Sequence, residues 1–180
     1  ISDASRLDAE LQRQDMAPVN LRRLLTTLTS VANETRLGHD VAVETRFEGR
    51  GSTDTFSVPG HDSRLGQVVS NLLSNAQSFS TPGGKVRVTC RRVRSEIEIV
   101  VDDDGPGIGE DALERIFERF YTDRPHQGFG QNSGLGLSIS KQIIEAHNGR
   151  VWAENRHGPA DADGKPTVVG ARFVVRLPAP

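Results

Sequence analysis

Two asparagines, Asn71 and Asn75, lie four residues apart in a segment whose apolar residues recur at helical spacing. On a helix, side chains four residues apart project from one face, about 40° apart around the axis. Amide oxygens are hard ligands that suit Mg²⁺, which keeps several waters and takes further oxygens from phosphates. The pair therefore indicates a site for a metal-bound phosphate, and the alternative is two amides that bond water on a partly exposed face.

A second candidate is the acidic, glycine-containing segment from Asp103 to Ile108, which follows a predicted strand. Gly105 and Gly107 permit positive φ and a close approach of the backbone to a flat ligand. A carboxylate at the strand end can accept a hydrogen bond from an exocyclic amine such as the 6-amino group of adenine. Guanine has an oxygen at that position, which a carboxylate would repel. The alternative is a tight acidic turn without a ligand.

The third candidate is Ser133-Gly134-Leu135-Gly136-Leu137, a glycine pair at the start of a predicted helix. The free N–H groups of a helix start and the helix dipole favour phosphate binding. Ordinary packing of a helix against a sheet would also explain the glycines.

Hydrophobic periodicity predicts the elements that position these residues. Helices are expected over residues 20–36, 62–79 and 135–147, with a polar helix end over 1–15 that Pro18 interrupts, and a short helix over 110–120. Alternation at period two predicts strands over 41–47, 56–58, 85–94, 96–101, 150–155 and 170–177. Turn-rich composition predicts loops over 102–109 and 122–133.

Bulk composition excludes several classes of function. The 180 residues carry a net charge of −2, which gives no indication of nucleic-acid binding or of an anionic membrane surface. The single cysteine, Cys90, excludes an internal disulfide framework, and no apolar run approaches the roughly 18 residues that span a bilayer. One domain is expected at this length.

Familiar catalytic motifs are absent from the sequence. There is no phosphate-binding P-loop, no Gly-x-Gly-x-x-Gly and no His-Arg-Asp kinase loop. The five histidines lack zinc-ligand spacing, and Ser133 and Ser138 have no base nearby in sequence.

Taken in order, the three candidates resemble the boxes of bacterial sensor histidine kinases. Residues 71–76 (NLLSNA) resemble the N box, 103–108 (DDGPGI) the G1 box, 116–121 (IFERFY) the F box and 134–137 (GLGL) the G2 box. The resemblance covers residues 20–180. The segment from Phe120 to Ser140 further resembles the ChvG/ExoS subgroup, envelope or acid sensors of alphaproteobacteria.

This resemblance implies an α+β two-layer sandwich, the Bergerat (GHKL) ATP-binding fold. That fold has a mixed β-sheet with three helices on one face and a mobile lid, here residues 109–133, anchored by Phe117 and Phe120. It also implies roles in binding Mg-ATP. Asn75 is the Mg²⁺ ligand, Asn71 supports metal and phosphates, Asp103 binds the adenine amine, and Gly105 and Gly107 let the base approach. The remaining nucleotide contacts are Phe79, Ile108, Phe120, Ser133, Gly134, Leu135, Gly136 and Leu137.

Two departures from the family pattern affect the phosphate cation. Ser78 and Phe79 stand where the family often has Lys or Arg followed by Tyr, and Thr122 stands where an Arg is common. Arg124 is therefore assigned as a catalytic residue in place of that arginine.

The resemblance also implies an acceptor that this sequence lacks. None of the five histidines lies in the acceptor motif of these kinases, and residues 1–16 resemble the end of the second dimerisation helix and a linker. Residues 17–180 are expected to form the catalytic ATP-binding domain. The expected partners are the kinase's own dimerisation domain and a response regulator. The fragment is expected to be monomeric, the full-length protein a homodimer, and the setting the cytoplasmic side of a bacterial inner-membrane sensor.

Two other functions are consistent with parts of the pattern. In a GHKL ATPase-type module, nucleotide drives a conformational change, but those proteins have a water-activating Glu where this chain has Asn71, and an amide cannot take that proton. A docking domain with a degenerate site is the other alternative, and the intact boxes argue against it.

Overall fold

The computed structural model describes residues 16–35, 40–49, 56–121 and 136–180. Within these ranges there are three α-helices and seven strands. The helices are α1 (Leu21–Glu34), α2 (Asp62–Phe79) and α3 (Gly136–Ala146). The strands are β1 (Ala17–Asn20), β2 (Ala42–Glu48), β3 (Ser57–Gly60), β4 (Lys85–Val93), β5 (Glu96–Asp102), β6 (Arg150–Ala160) and β7 (Pro166–Pro178).

Five strands form one mixed sheet in the order β2-β4-β5-β7-β6. β2 pairs with β4 in parallel, and every other neighbouring pair in this sheet is antiparallel. A separate two-stranded sheet joins β1 to β3, with Pro18 opposite Pro59. The predicted α+β architecture of three helices and a mixed sheet is confirmed.

The two faces of the sheet differ in chemistry. Alternate residues such as Val86, Val88 and Cys90 are buried in the same core cluster as helix residues such as Leu25 and Leu72. Residues on the other face form cross-strand ion pairs, for example Glu98 with Arg91 and Arg176 at 2.8 and 2.7 Å. The helices therefore cover one face only, as the resemblance implied.

Helix α2 is the element that positions the asparagine pair. Its buried apolar residues recur every three or four positions, which fixes the rotation of the helix over the sheet. They are Leu65, Val68, Val69, Leu72, Leu73, Ala76 and Phe79. Asn71 and Asn75 lie beside this buried stripe and are half-buried. Two amides are thus held at the edge of the core, where they contact protein on one side and can meet a ligand on the other.

The predicted short helix over residues 110–120 is wrong. Two separate 3₁₀ turns, Glu110–Ala112 and Arg115–Phe117, occupy this segment. Neither turn has a side-chain cap at its start, and Glu118 turns to an extended conformation immediately after the second. Burial of Ala112, Ile116 and Phe117 fixes the segment against the core without a continuous helix.

Three further boundaries differ from the predictions. Residues around Pro18 form strand β1, because β3 supplies a pairing partner some 40 residues away along the chain. The two closing strands are longer than predicted, since β6 extends to Ala160 and β7 begins at Pro166. The Asp161 side chain closes their turn by accepting bonds from the N–H groups of Asp163 and Lys165, both at 2.9 Å.

No helix in the described part of the chain is long and apolar enough to cross a membrane. The predicted helix end over residues 1–15 and the predicted loop over 122–133 lie outside the described residues.

Candidate nucleotide-binding site

Asp103 lies directly after β5, and its side chain is almost fully buried, with 1% of the residue exposed. Its Oδ1 accepts hydrogen bonds from the backbone N–H groups of Gly105 at 3.0 Å and Ala171 at 2.9 Å. Two donors on one oxygen fix the rotation of the carboxylate. The structure therefore presents a pre-oriented, buried acceptor, as a residue that reads a hydrogen-bond donor on a ligand requires.

Asp104 anchors the same loop to the neighbouring strands. Its Oδ2 accepts from the N–H of Lys85 at 3.0 Å, and its Oδ1 from Arg87 and Arg156, both at 3.1 Å. Burial by itself raises the pKa of this carboxyl, but these hydrogen bonds outweigh burial and hold the pKa below its usual value. Asp104 is thus an anion with a structural role, whereas the Asp103 side chain bonds within its own loop and to β7.

Gly105 and Gly107 differ in backbone conformation, and both lie close against the protein's own atoms. Gly107 has φ of +82°, as predicted, whereas Gly105 is not among the positive-φ residues. A Cβ on Gly105 would overlap the backbone carbonyl of Phe79, and one on Gly107 would overlap Val168 and come within 2.8 Å of Asn155 Oδ1. Both glycines therefore allow close approach to the protein's own atoms, which packs the loop against α2 and the β6–β7 hairpin.

Two other predicted nucleotide contacts, Phe79 and Ile108, are buried residues of this loop and its support. Phe79 ends α2 and is 6% exposed, while Ile108 is 7% exposed and belongs to the core cluster. Asn155 brackets Ile108 through two hydrogen bonds, accepting from its N–H at 2.8 Å and donating to its carbonyl at 2.6 Å. Sequence reasoning missed Asn155, since no local pattern in β6 signals a contact 47 residues away.

Asn71 connects α2 to the start of α3, where Gly136 is the first helical residue. The Asn71 Nδ2 donates to the carbonyl of Gly136 at 3.4 Å and to Ser140 Oγ at 3.3 Å. The amide oxygen takes no part in these two bonds, since an amide carries its donors on the nitrogen and its acceptor on the oxygen. A Cβ on Gly136 would make only ordinary contact with Asn71, at 3.9 Å, so this packing does not by itself require glycine.

The described residues contain no cluster of three His, Cys, Asp or Glu side chains that could hold a metal ion. The oxygens of Asn71 and Asn75 are different: they are neutral, half-buried and on one helix face. This donor set fits a hydrated Mg²⁺ that takes its charge-neutralising ligands from phosphates, and does not fit a metal held entirely by protein.

The two phenylalanines expected to anchor the lid differ in burial. Phe117 is 8% exposed and packs edge-on against Phe173, with ring centroids 6.2 Å apart. Phe120 is 65% exposed, has a positive φ of 65° and stacks under Arg119, so it does not act as a core anchor in this conformation. Leu137 packs partly buried against the core. Arg124, Ser133, Gly134 and Leu135 lie outside the described residues, and their roles stay predictions.

The structure describes three of the five histidines, His61, His147 and His157. His61 and His147 are buried against each other, and the backbone N–H of His61 donates to His147 Nε2 at 3.1 Å, whereas His157 is exposed on β6. The His147 ring also bonds the carbonyl of Ile143 through Nδ1 at 2.7 Å, so its two nitrogens are used in packing. Packing, not metal binding, explains the buried pair.

Comparisons with known proteins agree with this geometry. A family model described as histidine kinase-, DNA gyrase B- and HSP90-like ATPase matches residues 60–180. The chain is 47% identical over 183 residues to the sensor protein ChvG of Agrobacterium fabrum and 48% identical over 187 residues to that of Rhizobium meliloti. Each match covers 99% of this chain but only 30% and 31% of those relatives, so the chain spans about a third of their length.

A solved structure shows the same fold. The catalytic domain of the histidine kinase ThkA superposes with a TM-score of 0.74 and 26% identity, covering 93% of this chain and 100% of that domain. The fold, the order of the boxes and the buried carboxylate therefore point the same way. The chain belongs to the family of histidine kinase-, DNA gyrase B- and HSP90-like ATPases, and within it is a catalytic ATP-binding domain of the sensor histidine kinase type.

Proposed function

We propose that this domain binds Mg-ATP and transfers the γ-phosphate to a histidine on a dimerisation domain, leaving ADP, for relay to a response regulator. The observation that carries the proposal is the Asp103 carboxylate, buried to 1% exposure and oriented by two backbone N–H groups. A carboxylate this constrained is suited to accept one hydrogen bond from the adenine amine, and it disfavours the oxygen of guanine.

The other residues divide between the base and the phosphates. Gly105, Gly107, Ile108 and Phe79 shape the base end, because they form the loop after Asp103 and the end of α2 that contacts it. Asn71 and Asn75 hold Mg²⁺ and the phosphates from α2, with Asn75 as the metal ligand. The phosphate end is completed by Phe120, Ser133, Gly134, Leu135, Gly136, Leu137 and, as the catalytic cation, Arg124.

When bound, Mg²⁺ supplies charge that neutralises the phosphate oxygens during phosphoryl transfer. The protein's own part is to orient and to exclude water. Asn71 contributes by its bonds to Gly136 and Ser140, which tie the asparagine helix to the first turn of α3. A fixed distance between α2 and α3 holds the proposed phosphate-binding groups of the two helices at a constant separation.

Partners and setting are proposed from the relatives. We place residues 1–16 at the end of a dimerisation helix and residues 17–180 in the catalytic domain, within a homodimeric sensor of the bacterial inner membrane whose catalytic domain is cytoplasmic. The kinase ThkA has been solved in complex with the response regulator protein TrrA. We propose a response regulator of that class as the partner here.

An ATPase-type module, in which nucleotide binding alone drives the output, is not favoured. Water activation requires a side chain that accepts a proton, and Asn71 is an amide whose nitrogen already donates to Gly136 and Ser140. The relatives with high identity are also sensor proteins.

The proposal can be tested through Asn75. We expect Asn75→Ala to abolish the Mg²⁺-dependent increase in ATP affinity measured by calorimetry, because it deletes the metal's protein ligand. Ser74→Ala, at the exposed neighbouring position on the same helix, is the matched control and should leave the Mg²⁺ dependence unchanged. An Asn75→Ala domain that titrates with Mg²⁺ as the parent does would refute the metal assignment.

A second assay separates phosphotransfer from hydrolysis. The domain is mixed with radiolabelled ATP and a separately produced dimerisation domain of a ChvG-type sensor. Label on the acceptor histidine with little free phosphate supports phosphotransfer, whereas rapid phosphate release by the domain alone supports the ATPase alternative.

A further inference from the structure

One side chain of the β6–β7 hairpin bonds to the backbone of the loop formed by residues 103–108, as a neighbouring strand would. Asn155 of β6 accepts from the N–H of Ile108 at 2.8 Å and donates to the carbonyl of the same residue at 2.6 Å. Residues 103–108 belong to no strand, and their backbone bonds to other segments include the N–H of Asp103 to the carbonyl of Ala171 at 3.0 Å and the N–H of Thr81 to the carbonyl of Asp104 at 3.3 Å. The reciprocal bonds of Asn155 therefore fix the far end of a loop that secondary structure does not fix.

The next residue on β6 holds the near end of the loop. Arg156 Nη1 donates to the backbone carbonyl of Asp103 at 2.5 Å and to Asp104 Oδ1 at 3.1 Å. Its strand partner is Gly170, where a Cβ would overlap the Asp103 carbonyl and lie 3.0 Å from Arg156 Nη1. The absence of a side chain at Gly170 lets the guanidinium cross β7 and reach the loop.

Asn155 and Arg156 are neighbours on β6, and the side chains of neighbouring residues on a strand normally point to opposite faces of the sheet. The two residues pair regularly with β7, Asn155 opposite Ala171 and Arg156 opposite Gly170, and the register shifts only after Arg156. They therefore reach the loop from opposite faces of the strand. Val168 of the hairpin also lies against Gly107, where a Cβ would overlap it. The loop backbone therefore contacts the hairpin between the bonds of Arg156 and those of Asn155.

We infer that Asn155 and Arg156 are positioning residues that give Asp103 its selectivity for the adenine amine. The inference rests on the proposed function, because it assumes that Asp103 reads the base. Arg156 holds the carbonyl of Asp103 itself, and Asn155 holds the loop five residues further along. Hydrogen bonds weaken steeply with angle and distance, so a small displacement of the carboxylate reduces discrimination between an amine and an oxygen.

The test compares ATP with inosine triphosphate, which has an oxygen in place of the 6-amino group. Asn155→Asp keeps the size of the side chain and the acceptor for the Ile108 N–H, but places an oxygen against the Ile108 carbonyl. Dissociation constants for both nucleotides are measured with Mg²⁺ by calorimetry. We expect ATP affinity to fall about fivefold or more while inosine triphosphate affinity stays within about twofold, so that the preference for ATP declines.

Thr167→Val is the matched control. It deletes the bond from Thr167 Oγ1 to the Pro159 carbonyl, at 2.8 Å, within the same hairpin, and this bond does not involve the loop. The control should leave the ratio of the two affinities unchanged. A ratio that changes equally in Thr167→Val and Asn155→Asp would show that general stability of the hairpin matters and that the Asn155 contact does not.

Arg156→Met provides a second variant that decides the question if Asn155→Asp does not fold. It removes the donor to Asp103 but leaves Asp104 bonded to Lys85 and Arg87, so the loop keeps other anchors. The same decline in the ratio is expected. The inference is overturned if either folded variant binds both nucleotides as the parent does, or binds both with equally reduced affinity. It is also overturned if both variants are unfolded, because the contacts of Asn155 and Arg156 then serve folding alone.

The parent domain separates this inference from the proposed function. A parent without preference for ATP over inosine triphosphate would refute the role of Asp103. A parent with that preference, retained in both variants, would refute only the role of Asn155 and Arg156.

Discussion

Replacing Asp103 by Asn tests base recognition while preserving the loop. In the parent, Oδ1 accepts from the N–H groups of Gly105 and Ala171 at 3.0 and 2.9 Å. An asparagine must place its own oxygen toward these two donors, because its NH₂ group would oppose them. The NH₂ group then occupies the position of Oδ2. The substitution thus exchanges an acceptor for a donor at the ligand side and changes little else.

The magnitude follows from the bonds lost. A hydrogen bond to a charged acceptor contributes about 1.5–3 kcal/mol, so ATP affinity should fall roughly 10- to 150-fold. Inosine triphosphate should bind the variant better than ATP, since its 6-oxygen can accept from the new NH₂ group. Asp103→Ala differs: it leaves two buried N–H groups without an acceptor, each costing about 1–3 kcal/mol, so it should also lower the free energy of unfolding.

Calorimetry with both nucleotides and urea unfolding of the parent, Asp103→Asn and Asp103→Ala complete the test. Asp103→Asn should unfold near the parent's midpoint and Asp103→Ala well below it. If Asp103→Asn bound ATP as tightly as the parent, or lost both nucleotides equally, the carboxylate would not be the group that reads the base.

Two further predictions concern stability. Gly105→Ala places a Cβ against the backbone carbonyl of Phe79, and we expect this overpacking to lower the free energy of unfolding by about 1–3 kcal/mol in urea titrations. Gly83→Ser is the comparison: a Cβ there meets no atom within 4 Å, but the φ of 82° is positive, so this variant reports backbone strain alone. An unchanged midpoint for Gly105→Ala would contradict the packing. Burial lowers the pKa of His147 below the ordinary 6.5; the nearby His61 lowers it further, and the bond to the Ile143 carbonyl opposes the shift. The unfolded chain therefore binds more protons than the folded one, and the free energy of unfolding should fall as pH decreases below about 6.5. His147→Asn should reduce this dependence and His157→Asn, at an exposed position, should not; equal pH profiles for parent and His147→Asn would refute the assignment.

Local patterns were sufficient to predict the elements that bury a continuous apolar face. The spacing of Leu65, Leu72 and Phe79 predicted α2, and with it the shared face of Asn71 and Asn75, because helical periodicity is a property of neighbouring residues. The alternation in β4 and β5 likewise predicted the central hairpin. The position of Asp103 could also be predicted, because the acidic, glycine-containing turn directly follows the apolar alternation of β5.

Features that depend on distant contacts could not be predicted in this way. Strand β1 exists because Pro18 faces Pro59 across a separate two-stranded sheet, and no pattern within four residues signals that pairing. Apolar spacing over residues 110–120 suggested a helix, but the burial of Ile116 and Phe117 is achieved by two short turns. Asn155 was missed because its partner, Ile108, lies 47 residues earlier.

The most direct test of nucleotide recognition is the affinity of the unmodified domain for ATP and for GTP, each measured by calorimetry with and without Mg²⁺. The buried carboxylate of Asp103 and the amide pair on α2 predict that ATP binds at least about tenfold more tightly than GTP and that Mg²⁺ strengthens ATP binding. Equal affinity for ATP and GTP, or no binding of either nucleotide, would contradict the proposal that Asp103 recognises the adenine of ATP.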